Sequence, residues 1–340
     1  MSASVVQLES RTRTRVGTTA WAFAATAALV AGGACLLAGW TPVAFSIATV
    51  FLFAGPHNWL EARYLMTRMP ARWGRLRSYF LLAMIGVPLL TAAMAGLPWL
   101  AQRFALDRGG WAILLAVWNT ALVLWVAALA EMRRREKTSR DWPWLWPAAF
   151  SLVALAWLWP WGWSLGLVYL HPLLALLFLD REIGRRNASL RPVYRGCLLL
   201  VPLLLGVLWW RLAGVANLPG EDFLTAQIAN HAGGSILGGV NTHLLVSTHT
   251  FLEMLHYGVW CLAIPLVTFG SWPWQMEKVP LARRSTAWRR ALLAVLLLGA
   301  VVMLLLWGGF LTDYSTTRNI YFTVAMLHVL AEFPFLLRLL

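Results

Sequence analysis

Ten apolar segments, each near the 20 or so residues that one helical membrane crossing needs, constrain this chain more than any other feature. They fall at roughly 17–40, 43–63, 79–101, 111–131, 142–161, 163–180, 196–216, 243–268, 291–311 and 319–338. In hydrocarbon a backbone must satisfy its own hydrogen bonds, so each segment predicts a helix and the chain an all-α, polytopic integral membrane protein. With 60% of its residues hydrophobic and 12% charged, it has too little polar surface for a soluble domain. The fifth and sixth segments abut, which predicts a tight hairpin at 161–163. A single membrane domain is expected over 17–340, after a tail at 1–16.

The net charge of +14 raises nucleic acid as a partner, and the placement of the charge removes it. The tail, 63–77, 132–141, 181–195, 270–290 and the C-terminus hold 24 of the 28 Lys and Arg. Arg103, Arg108, Arg211 and Arg318 are the four on the other side. Such alternation orients a chain with its basic loops inside, so both termini are expected in the cytoplasm, and a bacterial inner membrane is the expected setting. The counterpart of the charge is then an anionic leaflet of the lipid bilayer. The first span follows Arg11, Arg13 and Arg15, but it is longer than a signal-peptide core of about 7–15 residues and reads as an uncleaved anchor.

Tryptophan at both ends of "WPWLWPAAFSLVALAWLWPWGW" (142–163) predicts an aromatic belt at each interface. Cys35, Cys197 and Cys261 lie on separate apolar segments without metal spacing and read as packing residues. Asp180 and Glu182 sit among arginines as salt pairs at the inner interface. The segment 217–242 reads as an external loop, where Glu221, Asp222, His231 and His243 form either an outer site or, more simply, a solvated surface. No Walker motif, G-x-S-x-G, H-E-x-x-H or C-x-x-C-H is present, so ATP-driven transport, serine hydrolysis, zincin proteolysis and c-type haem find no support.

Five of the seven histidines, His57, His171, His249, His256 and His328, fall inside the segments. Ionisable groups at membrane depth cost about 2.5–3.5 kcal/mol when fully charged, and even neutral imidazoles need partners. His57, His171, His256 and His328 lie on four spans of the same direction, at depths agreeing within about one helical turn. In three places a Glu follows a His by four residues: His57 and Glu61, His249 and Glu253, His328 and Glu332. Residues i and i+4 share a helix face, so each pair acts together. His249, Glu253 and His256 also share one stripe, and Glu253 with His256 makes the E-x-x-H step found in di-iron helical bundles.

Imidazole with carboxylate suits iron, manganese or zinc. The metal-ligand candidates are therefore His57, His171, His249, His256 and His328. Glu61, Glu253 and Glu332 are the candidate catalytic acids, either ligating directly or orienting the histidines from behind. The plainer alternatives are helix–helix hydrogen bonds for the histidines and a Glu61 that reaches the interface beside Arg63.

The stretch "FAGPHNWLEARYL" (53–65) resembles the Pro-His step of the Brp/Blh family of membrane β-carotene dioxygenases. The resemblance covers that step and the general layout of histidines. Asn58 stands where that family has Gly, and His249 and His256 are two turns apart rather than one. It implies a polytopic protein in which His57, His256, His171 and His328 hold an iron and a lipid-soluble polyene is the substrate.

The expected function is a membrane-embedded, metal-dependent oxidoreductase. Its cofactor is iron or another divalent transition metal, and its substrate is a hydrophobic small molecule from the lipid phase. Two alternatives use the same residues. One is a proton- or ion-coupled secondary transporter with the His and Glu residues as a relay. The other is a non-catalytic subunit that binds haem or pigment beside a membrane partner.

Overall fold

The computed structural model describes residues 3–136, 141–220, 222–268 and 275–339. These residues are helical and contain no strand, as the apolar pattern predicts. The helices are α1 (Ala3–Trp40), α2 (Pro42–Arg68), α3 (Arg77–Arg103), α4 (Arg108–Glu136), α5 (Leu145–Leu158), α6 (Pro160–Arg186), α7 (Arg191–Cys197) and α8 (Leu200–Leu212). They continue with α9 (Phe223–His231), α10 (Thr242–Gly258), α11 (Ile264–Thr268), α12 (Thr286–Thr312) and α13 (Tyr314–Leu339). Among the described residues, nine helical stretches are long and apolar enough to cross a membrane. The protein is thus an all-α, polytopic integral membrane protein.

The fifth expected span, 142–161, forms the 14-residue α5, about 21 Å long at 1.5 Å per residue and short of a hydrocarbon core. Proline trims it. Trp159, just before Pro160, is driven out of the helical region to φ −146°, ψ 72°, and Pro160 opens α6. The break therefore falls at Trp159, ahead of the expected hairpin at 161–163. Trp144, Trp146, Trp157 and Trp159 are all exposed.

Other departures are local. Helix α1 extends back through most of the expected tail, and its apolar part is Ala20–Trp40. The span expected at 196–216 is built from α7 and α8, within a stretch running from Ala188 to Leu212. The span at 243–268 consists of α10, a π-helical turn at Val259–Ala263, and α11. The expected external loop holds α9. Lys137, Arg140 and Glu221 lie outside the described residues, as do 269–274 of the expected 270–290 loop.

The contacts gather into two compact units. The first comprises 1–49 and 172–270, the second 50–171 and 271–340.

In the first unit α1 packs on α10 and α8, and α9 packs on α10 through Ile228, Ala229, Leu245 and Val246. The Cys35 thiol donates to the Leu204 carbonyl at 3.7 Å, which suits its reading as a packing residue. Asp180 accepts from Arg191 at 2.6 Å and Arg195 at 2.9 Å, tying α6 to α7 as the charge pattern suggests.

In the second unit α3, α4 and α13 share a core of Tyr79, Phe80, Leu90, Trp118, Leu122, Trp125, Leu129, Leu330 and Leu337. Tryptophan here does more than line interfaces. The Trp118 and Trp125 indoles, two turns apart on α4, donate to the Leu90 and Leu82 carbonyls of α3 at 2.9 and 3.1 Å. Trp59 of α2 donates to Leu296 of α12 at 2.9 Å, and Trp307 of α12 donates to Phe51 of α2 at 2.8 Å. Each bond satisfies the polar edge of its ring; Trp118 and Trp125 are buried, Trp59 and Trp307 half-buried.

Glycine permits the closest of these approaches. A Cβ at Gly86 would stand 2.0 Å from Trp125 Nε1, inside van der Waals contact. Gly86→Ala is therefore expected to destabilise the detergent-solubilised protein by about 1–3 kcal/mol, the usual cost of overpacking. Gly96→Ala on the same helix, where a Cβ meets nothing within 4 Å, serves as the control in a thermal unfolding comparison.

Candidate metal centre

Three helices of the second unit carry the polar group. Helix α2 supplies His57 and Glu61, α6 supplies His171, and α13 supplies His328 and Glu332. In α2 and α13 the four-residue spacing places the histidine and glutamate on one face, one turn apart. A proline accompanies each contribution: Pro56 before His57, Pro172 after His171, and Pro334 two residues beyond Glu332. Proline interrupts the helical ladder and leaves the carbonyl four residues back without its usual donor.

His57 Nδ1 lies 2.9 Å from the Phe53 carbonyl of its own helix. A carbonyl oxygen only accepts, so in this bond the proton sits on Nδ1 and Nε2 is the lone-pair nitrogen. His328 faces both other imidazoles. Its ring centroid is 5.0 Å from that of His57 and 5.1 Å from that of His171, edge to face in each case. The Nε2 atoms of His328 and His171 stand 3.3 Å apart. His171 Nδ1 lies 3.1 Å from Glu332 Oε2, within reach of an ion pair when the ring is protonated.

Glu61 completes the group. His57, Glu61 and His328 each offer a ligand atom, and these atoms lie within 4.8 Å of one another. Both glutamates are fully buried, at 0% exposure. Neither carboxylate oxygen of Glu61 has a hydrogen-bond partner among the described residues. The reading in which Glu61 reaches the interface beside Arg63 is therefore overturned. Arg63 is itself 1% exposed and donates to the Gln275 carbonyl at 3.2 Å. Helix packing, rather than a lipid headgroup, holds it.

His57, Glu61 and His328 offer ligand atoms close enough to hold a divalent metal ion, with the half-buried His171 and the buried Glu332 beside them. Two ligand nitrogens on one tetrahedral ion, with bonds of about 2.1 Å, stand about 3.4 Å apart. The separation of the His171 and His328 Nε2 atoms is close to that. A divalent charge would also balance two buried carboxylates, which otherwise carry the desolvation cost of their charge.

The remaining predicted site residues lie in the first unit on α10. His256 is 2% exposed, with its ring 6.5 Å from that of Trp260 and 5.9 Å from that of Tyr257. His249 and Glu253 are each 6% exposed, with His249 Nδ1 3.9 Å from Glu253 Oε2. The structure adds two residues that the sequence reading did not join to them. Tyr257 donates its hydroxyl to Glu253 Oε1 at 2.8 Å, and the His231 ring of α9 stands 5.0 Å from the His249 ring. The signal for Tyr257 was its spacing, four residues beyond Glu253. His231 comes from a separate helix, and no spacing announces it.

The expected outer site is mostly explained by local structure. Asp222 caps α9, accepting from the backbone of Leu224 at 3.2 Å and Thr225 at 2.8 Å and from the Thr225 hydroxyl at 2.7 Å. These bonds, the Thr225 hydroxyl foremost, hold its carboxyl below the usual range. His243 Nε2 lies 3.1 Å from the Gly39 carbonyl and ties α10 to α1.

No family model, curated protein or solved structure matches the chain.

The burial of Glu61 generates a test. Without a cation its carboxyl takes up a proton rather than carry an unanswered charge, so in excess chelator Glu61→Gln is expected to leave the thermal midpoint near wild type, and in the presence of the metal to lower it. A lower midpoint in chelator would mean that protein groups already satisfy the carboxylate.

Proposed function

We propose that the His57, Glu61, His171, His328 and Glu332 group binds one divalent transition metal, iron foremost, and that the protein is a membrane-embedded oxidoreductase. The observation that carries this reading is the burial of Glu61 against imidazoles, with no hydrogen bond to either of its oxygens. A carboxylate in that position is best explained by a cation beside it. Imidazole and carboxylate ligands favour iron, manganese or zinc over copper(I) or iron–sulfur clusters. Haem fits less well. Two axial imidazoles on one haem iron stand about 4 Å apart, twice a metal–nitrogen bond, whereas the His171 and His328 nitrogens are 3.3 Å apart.

When bound, the metal would supply redox and Lewis-acid chemistry. The chain's own residues would orient the ligands and exclude water. His57 is turned by the Phe53 carbonyl, and Glu332 lies beside His171. The substrate would be a hydrophobic small molecule entering from the bilayer. A polyene is the first choice, since the Pro56–His57 step resembles the Brp/Blh dioxygenases. The distribution of basic loops supports an inner-membrane location with both termini in the cytoplasm.

Metal analysis of the detergent-purified protein tests the reading. Close to one equivalent of iron per chain is expected, with a loss of tenfold or more in His328→Ala and in Glu61→Gln. Gly96→Ala should retain its metal. Metal-free protein that stays metal-free after anaerobic incubation with ferrous, manganous and zinc salts would end the proposal.

A further inference from the structure

Asn119 of α4, in the second unit, is 0% exposed, and neither end of its amide has a hydrogen-bond partner among the described residues. A polar side chain on a buried helix usually turns back to the carbonyl one turn earlier. Asn58 does so on Ala54 at 2.9 Å, and Thr120 on Ala116 at 2.8 Å. Asn119 does not, and its amide carries the full cost of leaving water. Packing alone gives no reason for that cost, since leucine would fill the same space without it. On α6 the Trp163 indole Nε1 is likewise buried without a partner among the described residues. Trp163 packs on the cluster of Val123, Ala127 and Ala149, and Val123 is one turn from Asn119 on the same face of α4.

Three bonds fix the depth of this amide. Trp118 of α4 donates to Leu90 of α3 at 2.9 Å, Tyr79 of α3 donates to the Pro334 carbonyl of α13, and Arg133 of α4 donates to the Arg338 carbonyl of α13 at 3.5 Å. Helices α4 and α13 therefore run side by side in the same direction. Counting residues through α3 or directly from Arg133 gives one answer: Asn119 stands about four residues, roughly 6 Å or one turn, from the level of His328. The way in from lipid is also visible. The Trp157 indole of α5 donates to the hydroxyl of Thr120, the next residue to Asn119, at 2.9 Å. The end of the short α5 is thus level with the amide, and Trp157, Leu158 and Trp159 around that break are exposed.

We propose that Asn119 and Trp163 form the binding site for the oxygen-bearing end of a lipid-soluble molecule, an alcohol foremost, that enters beside the end of α5. The Asn119 Nδ2 group and the Trp163 N–H donate to the ligand oxygen, and Asn119 Oδ1 accepts the hydroxyl proton. A hydroxyl answers both kinds of group, a carbonyl answers only the donors, and a hydrocarbon answers neither. A carboxylate would bring a charge to membrane depth. The inference rests on the metal-centre reading for its chemical meaning, since it names the end group of the substrate, but the binding itself needs no metal.

Equilibrium binding of tritiated geranylgeraniol to the intact protein in lipid nanodiscs is the test, with binding to empty nanodiscs subtracted. The competitors are the unlabelled alcohol and the matched hydrocarbon, in which hydrogen replaces the hydroxyl. Saturable binding is expected, with the hydrocarbon competing about tenfold less well than the alcohol. Asn119→Leu should weaken the alcohol by about tenfold and leave the hydrocarbon unchanged, and Trp163→Phe, which keeps a ring, should weaken the alcohol by about threefold. Metal content should match wild type in both variants. Protein that binds the alcohol and no metal would leave this site standing while ending the metal reading. No saturable binding, equal competition by alcohol and hydrocarbon, or wild-type affinity for the alcohol in either variant would overturn the proposal, the last by showing that the amide meets only water.

Discussion

A carboxyl group removed from water must be answered by a donor, a positive charge or a proton of its own, and the second unit is built around two of them. Glu61 and Glu332 are sealed from solvent in a protein whose surroundings are lipid. Each carboxylate costs more to bury than any single apolar contact returns, so the histidines beside them are part of the cost of folding as well as a source of chemistry. That constraint explains why the imidazoles come from α2, α6 and α13 and meet at one place. A lone polar helix would be unstable in the bilayer, whereas three that share their polar faces can present an apolar exterior.

Much of this was legible in the sequence because membrane helices announce themselves by length. The nine long helices follow the apolar runs closely. The error at the fifth segment shows the limit: hydropathy sees Trp, Leu and Ala through 142–161 without a break, while the backbone responds to Pro160 by bending at Trp159. The His–Glu pairs were readable because four-residue spacing is a local property. The neighbours of α2, α6 and α13 were not, since nothing local encodes which helices meet. Arg63 misled for the same reason. Beside a basic loop it looks like an interfacial charge, and only the position of the Gln275 carbonyl shows why it is buried.

Indole hydrogen bonds add rigidity around the site. Trp59 and Trp307 join α2 and α12 in opposite directions, each ring donating to a carbonyl of the other helix. The pair anchors α2 at Phe51 and Trp59, on either side of His57 and two residues short of Glu61, fixing the rotation of the helix that presents them. Indole has a donor and no acceptor, so such a bond works in one sense only and specifies which helix gives and which receives.

The π-helical turn at Val259–Ala263 offsets the two halves of one crossing. A wide turn of this kind holds one residue more than the regular ladder, so α11 faces about 100° around from where an unbroken α-helix would put it. Everything from Ile264 onward inherits that offset, while His249, Glu253 and Tyr257 upstream do not. Within this one crossing, the facing of the N-terminal half, with its ionisable side chains, is therefore set apart from that of the C-terminal half.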